Sequence, residues 1–542
     1  MSRDLSPYIG RWVALADGQV SGVGYTGPEA LRAARHNRPK DKNLELRYIE
    51  PAGGEPLTLS PILEKLYPIL AKLDRPVYLV GGAVRDALLG RASHDLDFAV
   101  PEKGIKTAFK VADALGVPAY ILDKERDIGR VMLADEDTSL DFARYRGQSL
   151  EDDLRDRDFT INALALPAVA KSSASVIDLF GGLDDLQNKI VRQVHEDSLT
   201  DDPIRGLRAV RIAVRFGFTL DGTTAGNIEP AVKQLSNTSA ERARDEWFNI
   251  MNDRPHIALR YLHQLGGLRI VLPRIALLDG VEQSAPHHED VFEHTLSVLR
   301  WLPIVEQVVW GETAEEIDPL TADLEQLLQP YRPLLQEHLA RRVSGDIDGR
   351  LVLRIAALYH DVGKAETQTV EPDGRIRFLG HDKVGATIVE ARLRQFRLSN
   401  EAIQHIKQIV RGHMRPLLFA REPQLTGRAI FRFCRKYSTA VLDILLLSLA
   451  DHLATYDGAG EFDDSWGQLL ELEQQILSFY SERFVVLEQA APLLSGRDVM
   501  DHLQLEGGPE IGRLLRLLAE AQTLGEVTTR EEAFVFIEQT QS

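Results

Sequence analysis

Tyr78-Leu79-Val80-Gly81-Gly82-Ala83-Val84-Arg85-Asp86, followed shortly by His94-Asp95-Leu96-Asp97-Phe98-Ala99-Val100, is the stretch on which the fold turns. Tyr78-Leu79-Val80 reads as a short buried strand and Ala83 to Gly90 as a helix, so the two glycines fall at a strand-to-helix turn. There a backbone can approach an anion, and the helix N-terminus favours negative charge. His94 to Val100 reads as a second strand. At a period of two, Asp95 and Asp97 point to the same face. Neighbouring carboxylates repel unless a hard cation lies between them, and Mg²⁺ with bound phosphates is the usual occupant. A glycine turn alone is most often only a turn, and Asp-x-Asp alone is most often solvated surface. In strand–turn–helix–strand order the two together point to nucleotidyl transfer.

Working outward, 542 residues exceed one hydrophobic core, and about three to five domains are expected. The composition, 44% hydrophobic and 27% charged, is that of an ordinary globular protein. The single Cys434 excludes a disulfide framework and a Cys-rich zinc site and fits a reducing compartment. Met1 to Ser6 shows no apolar signal core, and the most apolar run, Ala440 to Ala450, contains Asp443 and is too short to span a bilayer. A cytoplasmic protein without a membrane partner is expected. The formal charge of −18 argues against a chain that coats nucleic acid non-specifically, although arginines cluster between Arg192 and Arg215.

The expected domains are a small ββαβ module (1–55), a head of mixed strands and helices (56–190), a helical region (191–285), a histidine-bearing helical domain (286–460) and a helical tail (461–542). In the first, Trp12 to Leu15 and Gln19 to Tyr25 suggest a hairpin across Asp17-Gly18, Gly27-Pro28 opens a helix, and Leu44 to Ile49 is a last strand. The charged stretch 311–350 reads as an exposed insertion, and Gly458 to Asp464 as a joint.

Asp152 to Asp158 alternates charge ahead of an apolar segment, Phe159 to Leu164, read as a helix. Asp201-Asp202-Pro203 begins another helix, with proline suited to its first turn. On it Arg205, Arg208, Arg211 and Arg215 share one face. Four cations on one face repel, so a polyanion is expected opposite.

These residues resemble the bacterial class II tRNA nucleotidyltransferase and poly(A) polymerase family, the CCA-adding group. The matching motifs are Gly81-Gly82-x-Val84-Arg85-Asp86, Asp95-x-Asp97, Arg157-Asp158-Phe159-Thr160-Ile161-Asn162-Ala163, Asp178-x-x-Gly181-Gly182-x-x-Asp185-Leu186 and Asp202-Pro203-x-Arg205-x-Leu207-Arg208-Ala209-x-Arg211. The resemblance implies a multidomain α+β chain: a polymerase-β-like head, then an all-α body. In it Asp95 and Asp97 hold Mg²⁺, with Asp141 as a further carboxylate. Gly82 and Arg85 contact the triphosphate, Arg157 and Asp158 the ribose region, and Gly81 and Asn162 also belong to the nucleotide-binding set. Asp202 and Arg205 template the incoming base, and Arg208 and Arg211 line the pocket. The implied partners are tRNA, CTP and ATP. Two departures stand out. Asp156 precedes Arg157-Asp158 where the family often has arginine, and only Gly147-Gln148-Ser149-Leu150 separate Arg146 from Glu151. CCA-adding and A-adding members carry a longer flexible loop there, so this chain resembles the CC-adding subgroup.

His294, His360-Asp361, His381, His413 and Asp451 follow in an order that resembles the HD phosphohydrolase superfamily. The resemblance implies that His294, His360, Asp361 and Asp451 hold one transition metal (Mn²⁺, Ni²⁺, Fe or Zn²⁺) and that His381 and His413 allow a second. The residues from Leu493 to Glu531 resemble the family's C-terminal helical segment. The alternatives are a poly(A) polymerase, or an HD phosphohydrolase whose inactive head binds RNA. Oligomeric state is open.

Overall fold

The computed structural model describes residues 4–541 except 42, 134–137, 313–318, 346, 423–424, 457–463 and 487–491. All but the last residue of the expected joint at Gly458–Asp464 lies outside the described residues, as do Met1 to Arg3. Packing divides the chain into two compact units, Met1–Thr238 and Ser239–Ser542.

The first unit opens with the expected ββαβ module: β1 (Trp12–Ala16), β2 (Gln19–Gly24), α1 (Gly27–Asn37) and β3 (Glu45–Tyr48), in antiparallel order β2-β1-β3. Asp17 and Gly18, at φ 48° and 73°, make the two-residue hairpin turn. α1 lies directly on β2: a Cβ on Gly22 would stand 2.2 Å from the Ala34 nitrogen, so only glycine fits.

After α2 (Ile62–Leu70) the head is built from β4 (Tyr78–Val80), α3 (Gly82–Leu88), β5 (Asp95–Val100), α4 (Gly104–Leu115), β6 (Ala119–Asp123), β7 (Ile128–Leu133), β8 (Thr138–Arg144), α5 (Leu150–Arg155), β9 (Leu164–Pro167), β10 (Ile177–Asp178) and α6 (Gly182–Gln187). The sheet runs β10-β9-β4-β5-β8-β7-β6, antiparallel throughout except for the parallel pair β5–β8. Leu96, Phe98 and Val100 join Leu79, Leu140 and Phe142 in one core. Phe98 and Phe142 stack at 4.7 Å, each worth about 1.5–3 kcal/mol on burial. The alternate residues Asp95 and Asp97 therefore take the opposite, exposed face. The expected helix at Phe159–Leu164 is not one. Asp158 accepts the Phe159 amide, Thr160–Asn162 forms a single 3₁₀ turn, and the chain enters β9 to pair with β4. Helices follow in the same unit, among them α7 (Ser198–Asp201) and α8 (Ile204–Phe216); α8 ends on Gly217 at φ 67°.

The second unit is helical apart from two short hairpins among the described residues. Its central helix, Ala440–Tyr456, is buried at every residue from Ala440 to Thr455. Among its described residues, the stretch 311–350 is not an exposed insertion. Its helices Pro319–Leu328 and Arg332–Ala340 bury Leu324, Leu327, Leu328, Leu335 and Leu339 and pack on the Val291–Trp310 helix. The charge lies on the outer face of helices whose apolar side is core. The helices Gly496–Leu503, Pro509–Leu524 and Arg530–Gln541 share a core of their own. Among the described residues no single helix is long and apolar enough to cross a membrane; only a bent pair, Gly427–Tyr437 with Ala440–Tyr456, has the length and composition together.

Two candidate metal-dependent centres

In the head, the pleat of β5 sets Asp95 and Asp97 on one face, and the ladder fixes their neighbours: Asp97 lies across from Val80 on β4 and from Asp141 on β8. Asp95 Oδ1 accepts from Ser139 Oγ at 2.9 Å. The Asp97 side chain is solvent-accessible, yet it sits in a concavity crowded with protein atoms. That crowding raises its pKa, against the opposing pull of Arg157, and the nearby Asp141 raises it further. A group costly to ionise alone suits a site completed by a cation. Asp141 is in register, but both its oxygens accept from Arg130, at 2.6 Å each. The expected further carboxylate, Asp141, is thus paired with Arg130 across β7 and β8.

Gly81 adopts φ 75°, and a Cβ there would lie 2.7 Å from Arg157 Nη1 and 3.8 Å from Asp97 Oδ2. The turn thus brings a guanidinium over the backbone beside the carboxylates. Buried Asp153 clamps Arg157 from below, accepting Nη2 at 3.0 Å. Behind it lies a chain of buried polar groups. Arg85 Nη1 donates to Asn162 Oδ1 at 2.6 Å, its Nε and Nη2 donate to Asp86, and its guanidinium stacks on Phe216 at 4.4 Å. Asn162 Nδ2 donates to Asp158 at 2.9 Å, and Arg208 Nη1 does so at 3.1 Å. Burial opposes the charge of Asp158, but Arg208 and Asn162 hold its pKa below the usual range. Arg85, expected at the triphosphate, is instead buried with every nitrogen bonded to protein.

The arginine face of α8 also differs from the expected open stripe. Arg205 is 7% exposed, and burial lowers its pKa. Its Nη2 donates to the Asp156 carbonyl at 2.6 Å and its Nη1 to Ser198 Oγ at 2.9 Å. Much of the anion opposite this helix is therefore the head's own Asp158 and backbone oxygens. Arg205 lies one helical turn after Asp202, whose carbonyl accepts the Arg205 amide at 2.9 Å. Arg211 is half-buried on the same helix. Where the family's flexible loop is missing, Ser149 caps α5 through a capping box with Asp152, whose carboxylate also accepts the Gln148 amide. The connection is a short turn held by the Asp152 and Asp153 carboxylates.

In the second unit, His294, His360, Asp361, His381, His413 and Asp451 come together, all buried. His360, His381 and His413 each hold a backbone carbonyl through Nδ1, those of Ala357, Phe378 and Val410, at 2.7–2.8 Å. That bond fixes the tautomer and leaves Nε2 as a lone pair. His294, His360 and Asp451 form one ligand group, and Asp361, His381 and His413 another. Asp361, expected with His294, His360 and Asp451, lies between the two groups. Its Oδ2 lies 3.1 Å from His360 Nε2 and its Oδ1 3.3 Å from His381 Nε2, one oxygen toward each group. Buried His360 Nε2 and Asp361 Oδ1 make no hydrogen bond. Orphaned polar atoms are costly in a core, and a metal ion accepting their lone pairs would satisfy both. The residues present suit a two-metal centre.

Two neighbours were not singled out from sequence. Lys364 Nζ stands 2.6 Å from Asp361 Oδ2. It follows Asp361 by three residues, a spacing that could have flagged it. The His287 ring packs edge-on against His294, and burial drives it down to about 3, so it is neutral at pH 7. A 610 Å³ cavity opens on the centre and is rich in cations, including Lys364, Arg377, Arg411 and Arg415. It is a basic recess on an acidic protein.

Comparison with known proteins finds three matched regions. Residues 77–192 match the poly A polymerase head domain, 217–278 the probable RNA and SrmB-binding site of polymerase A, and 333–455 the HD domain. A CC-adding tRNA nucleotidyltransferase of Thermus thermophilus is 34% identical over 86% of this chain and 96% of its own. An A-adding tRNA nucleotidyltransferase of Deinococcus radiodurans is also 34% identical, over 85% and 94%. A CCA-adding enzyme solved with CTP shares the fold at TM-score 0.58 and 19% identity, covering 89% of this chain and 96% of that one. With a polymerase head, an HD body and relatives matched nearly end to end, the chain belongs to the tRNA nucleotidyltransferase family.

Proposed function

We propose that the protein adds nucleotides to the 3′ end of tRNA without a nucleic-acid template, and that it is CC-adding. The observation that carries the transfer reading is the paired Asp95 and Asp97 beside a glycine turn covered by Arg157. Asp95 and Asp97 are the residues to hold Mg²⁺, which when bound would supply charge stabilisation to the phosphate oxygens. The primer 3′-hydroxyl attacks the α-phosphorus in line, forming the new phosphodiester while the bond to pyrophosphate breaks. Gly81, Gly82 and Arg157 receive the triphosphate, and Asp158 and Asn162 shape the ribose side. Arg85 acts one step back, by orienting Asn162.

Asp202 and Arg205 read the base. Template recognition needs a guanidinium plane that does not wander, and the bonds of Arg205 to Asp156 and Ser198 supply that fixity. Arg208 and Arg211 complete the pocket wall. The CC-adding assignment is supported by the short capped turn at Gly147–Ser149, because identity to CC-adding and A-adding relatives is equal. The HD centre is assigned to phosphoester hydrolysis with a transition metal, supported by its orphaned ligand atoms and cationic cavity. The five-part division at 55, 190, 285 and 460 is retained for this scheme, as is a cytoplasmic setting, where buried Cys434 stays reduced. Incubating the protein with tRNA ending at the discriminator base and single triphosphates tests it. Addition of two residues from CTP alone is expected. Addition of one A to tRNA ending in CC selects the A-adding reading, and long ATP runs select poly(A) polymerase.

A further inference from the structure

Apart from both centres, three side chains converge from the helices Arg332–Ala340, Asn400–Gly412 and Ala440–Tyr456. His338 Nε2 lies 2.8 Å, and His405 Nε2 2.7 Å, from a single oxygen, Asp443 Oδ2. The three ligating atoms fall within 4.8 Å of one another. Asp443 is fully buried in an apolar helix, and its second oxygen makes no hydrogen bond.

Protons alone do not satisfy this arrangement. Arg341 Nη2 stands 2.8 Å from His405 Nε2. A guanidinium only donates, so that contact needs a lone pair on Nε2. The contact of the same Nε2 with the Asp443 carboxylate needs a proton there. Either choice sets two donors or two acceptors face to face. A divalent ion takes a lone pair from each imidazole and from the carboxylate at once, and Asp443 Oδ1 offers a fourth. Arg341, whose side chain is 26% exposed, can turn to solvent.

We propose that His338, His405 and Asp443 form a metal site separate from the two centres above. It is built for a transition ion such as Zn²⁺, which ligands of two imidazoles and one carboxylate suit. Its role is structural: it ties three helices of the body together.

The test uses the full chain carrying His360→Ala and Asp361→Ala, which silence the HD centre, stripped of metal and titrated with Co²⁺ alone. One bound equivalent with visible ligand-field bands is expected. Adding Asp443→Asn should weaken binding at least about tenfold, and Arg341→Gln should tighten it by a similar factor, since a neighbouring positive charge is lost. Zn²⁺ should raise the Tm of the silenced chain but not of its Asp443→Asn derivative. If Asp443→Asn does not fold, His405→Ala, at a half-buried position, carries the same comparison. A folded silenced chain that binds no Co²⁺, or bands that survive loss of Asp443 or His405, overturns the proposal.

Discussion

The two catalytic centres hold their carboxylates in opposite ways. In the head, Asp95 and Asp97 stand on the open face of a strand, and the cations around them are bonded elsewhere: Arg85 to Asn162 and Asp86, Arg157 to Asp153, Arg130 to Asp141. In the HD centre, Asp361 and Asp451 are buried among imidazoles already locked by backbone carbonyls. On the proposed function, the first is a site that a substrate would complete by arriving with its own cation, and the second suits a resident ion. The difference in pre-organisation fits those roles, a large charged nucleotide exchanged every cycle against a metal that is kept.

Disabling one centre should leave the other untouched. Asp95→Ala should lower nucleotide incorporation on the order of 10³-fold, leaving the circular dichroism spectrum and the hydrolysis of a phosphodiester such as bis-p-nitrophenyl phosphate unchanged. Incorporation at the wild-type rate would remove Asp95 from the mechanism. The contrast between visiting and resident cations is tested by dialysis against metal-free buffer. Transition metal and hydrolysis should persist, while nucleotide addition should vanish until Mg²⁺ is restored. Loss of both together would show the HD centre to be as open as the head. A smaller effect is expected at the turn. Gly81→Ala forces a side chain to φ 75° and into the Arg157 guanidinium. With strain of about 1–3 kcal/mol, incorporation should fall roughly 10- to 100-fold, and additionally replacing Arg157 with lysine should not restore it.

The head could be read from the chain because its logic is local. One glycine turn and a two-residue period placed Gly81, Asp95 and Asp97 correctly, since a strand cannot present alternate residues any other way. The ββαβ module was readable for the same reason, through its Asp17-Gly18 turn. What escaped depends on partners distant in sequence. Nothing near Asp141 announces that Arg130 occupies it, and nothing near Arg205 shows that the carbonyls of Asp156 and Ser198 take up part of its donors. Phe159–Leu164 has apolar character that suits a helix, and only bonds to distant residues, Phe159 bridging Gln193 and the Thr160 amide donating to the Arg192 carbonyl, hold it as a turn. The HD ligands span residues 294 to 451 on separate helices, so no periodicity links them, and their order spoke only through resemblance. His338, His405 and Asp443 had neither local period nor familiar order and stayed invisible.

The finest difference between the centres is one of sign. With metal absent, the protein packed around Asp97 raises its pKa more than Arg157 lowers it. For Asp361, burial works the same way, but His360 and Lys364 more than offset it and hold the carboxyl well below its ordinary value. A raised carboxyl favours the folded state at low pH and loses that contribution as pH rises from the unfolded value through the folded one. A depressed carboxyl contributes above the unfolded value and loses it as pH falls. In chelator at pH 7, Asp97→Asn should therefore melt slightly above the wild type, by no more than about 1–2 °C, and the gap should close below the ordinary aspartate range. Asp361→Asn should melt below the wild type at pH 7, because it strips buried Lys364 of its counter-charge, and that deficit should shrink toward low pH. Thermal scans across pH 3–8 measure both. Equal signs would mean that the head's carboxylates are as firmly paired as those of the HD centre, and that the head site needs no arriving cation to settle its charge.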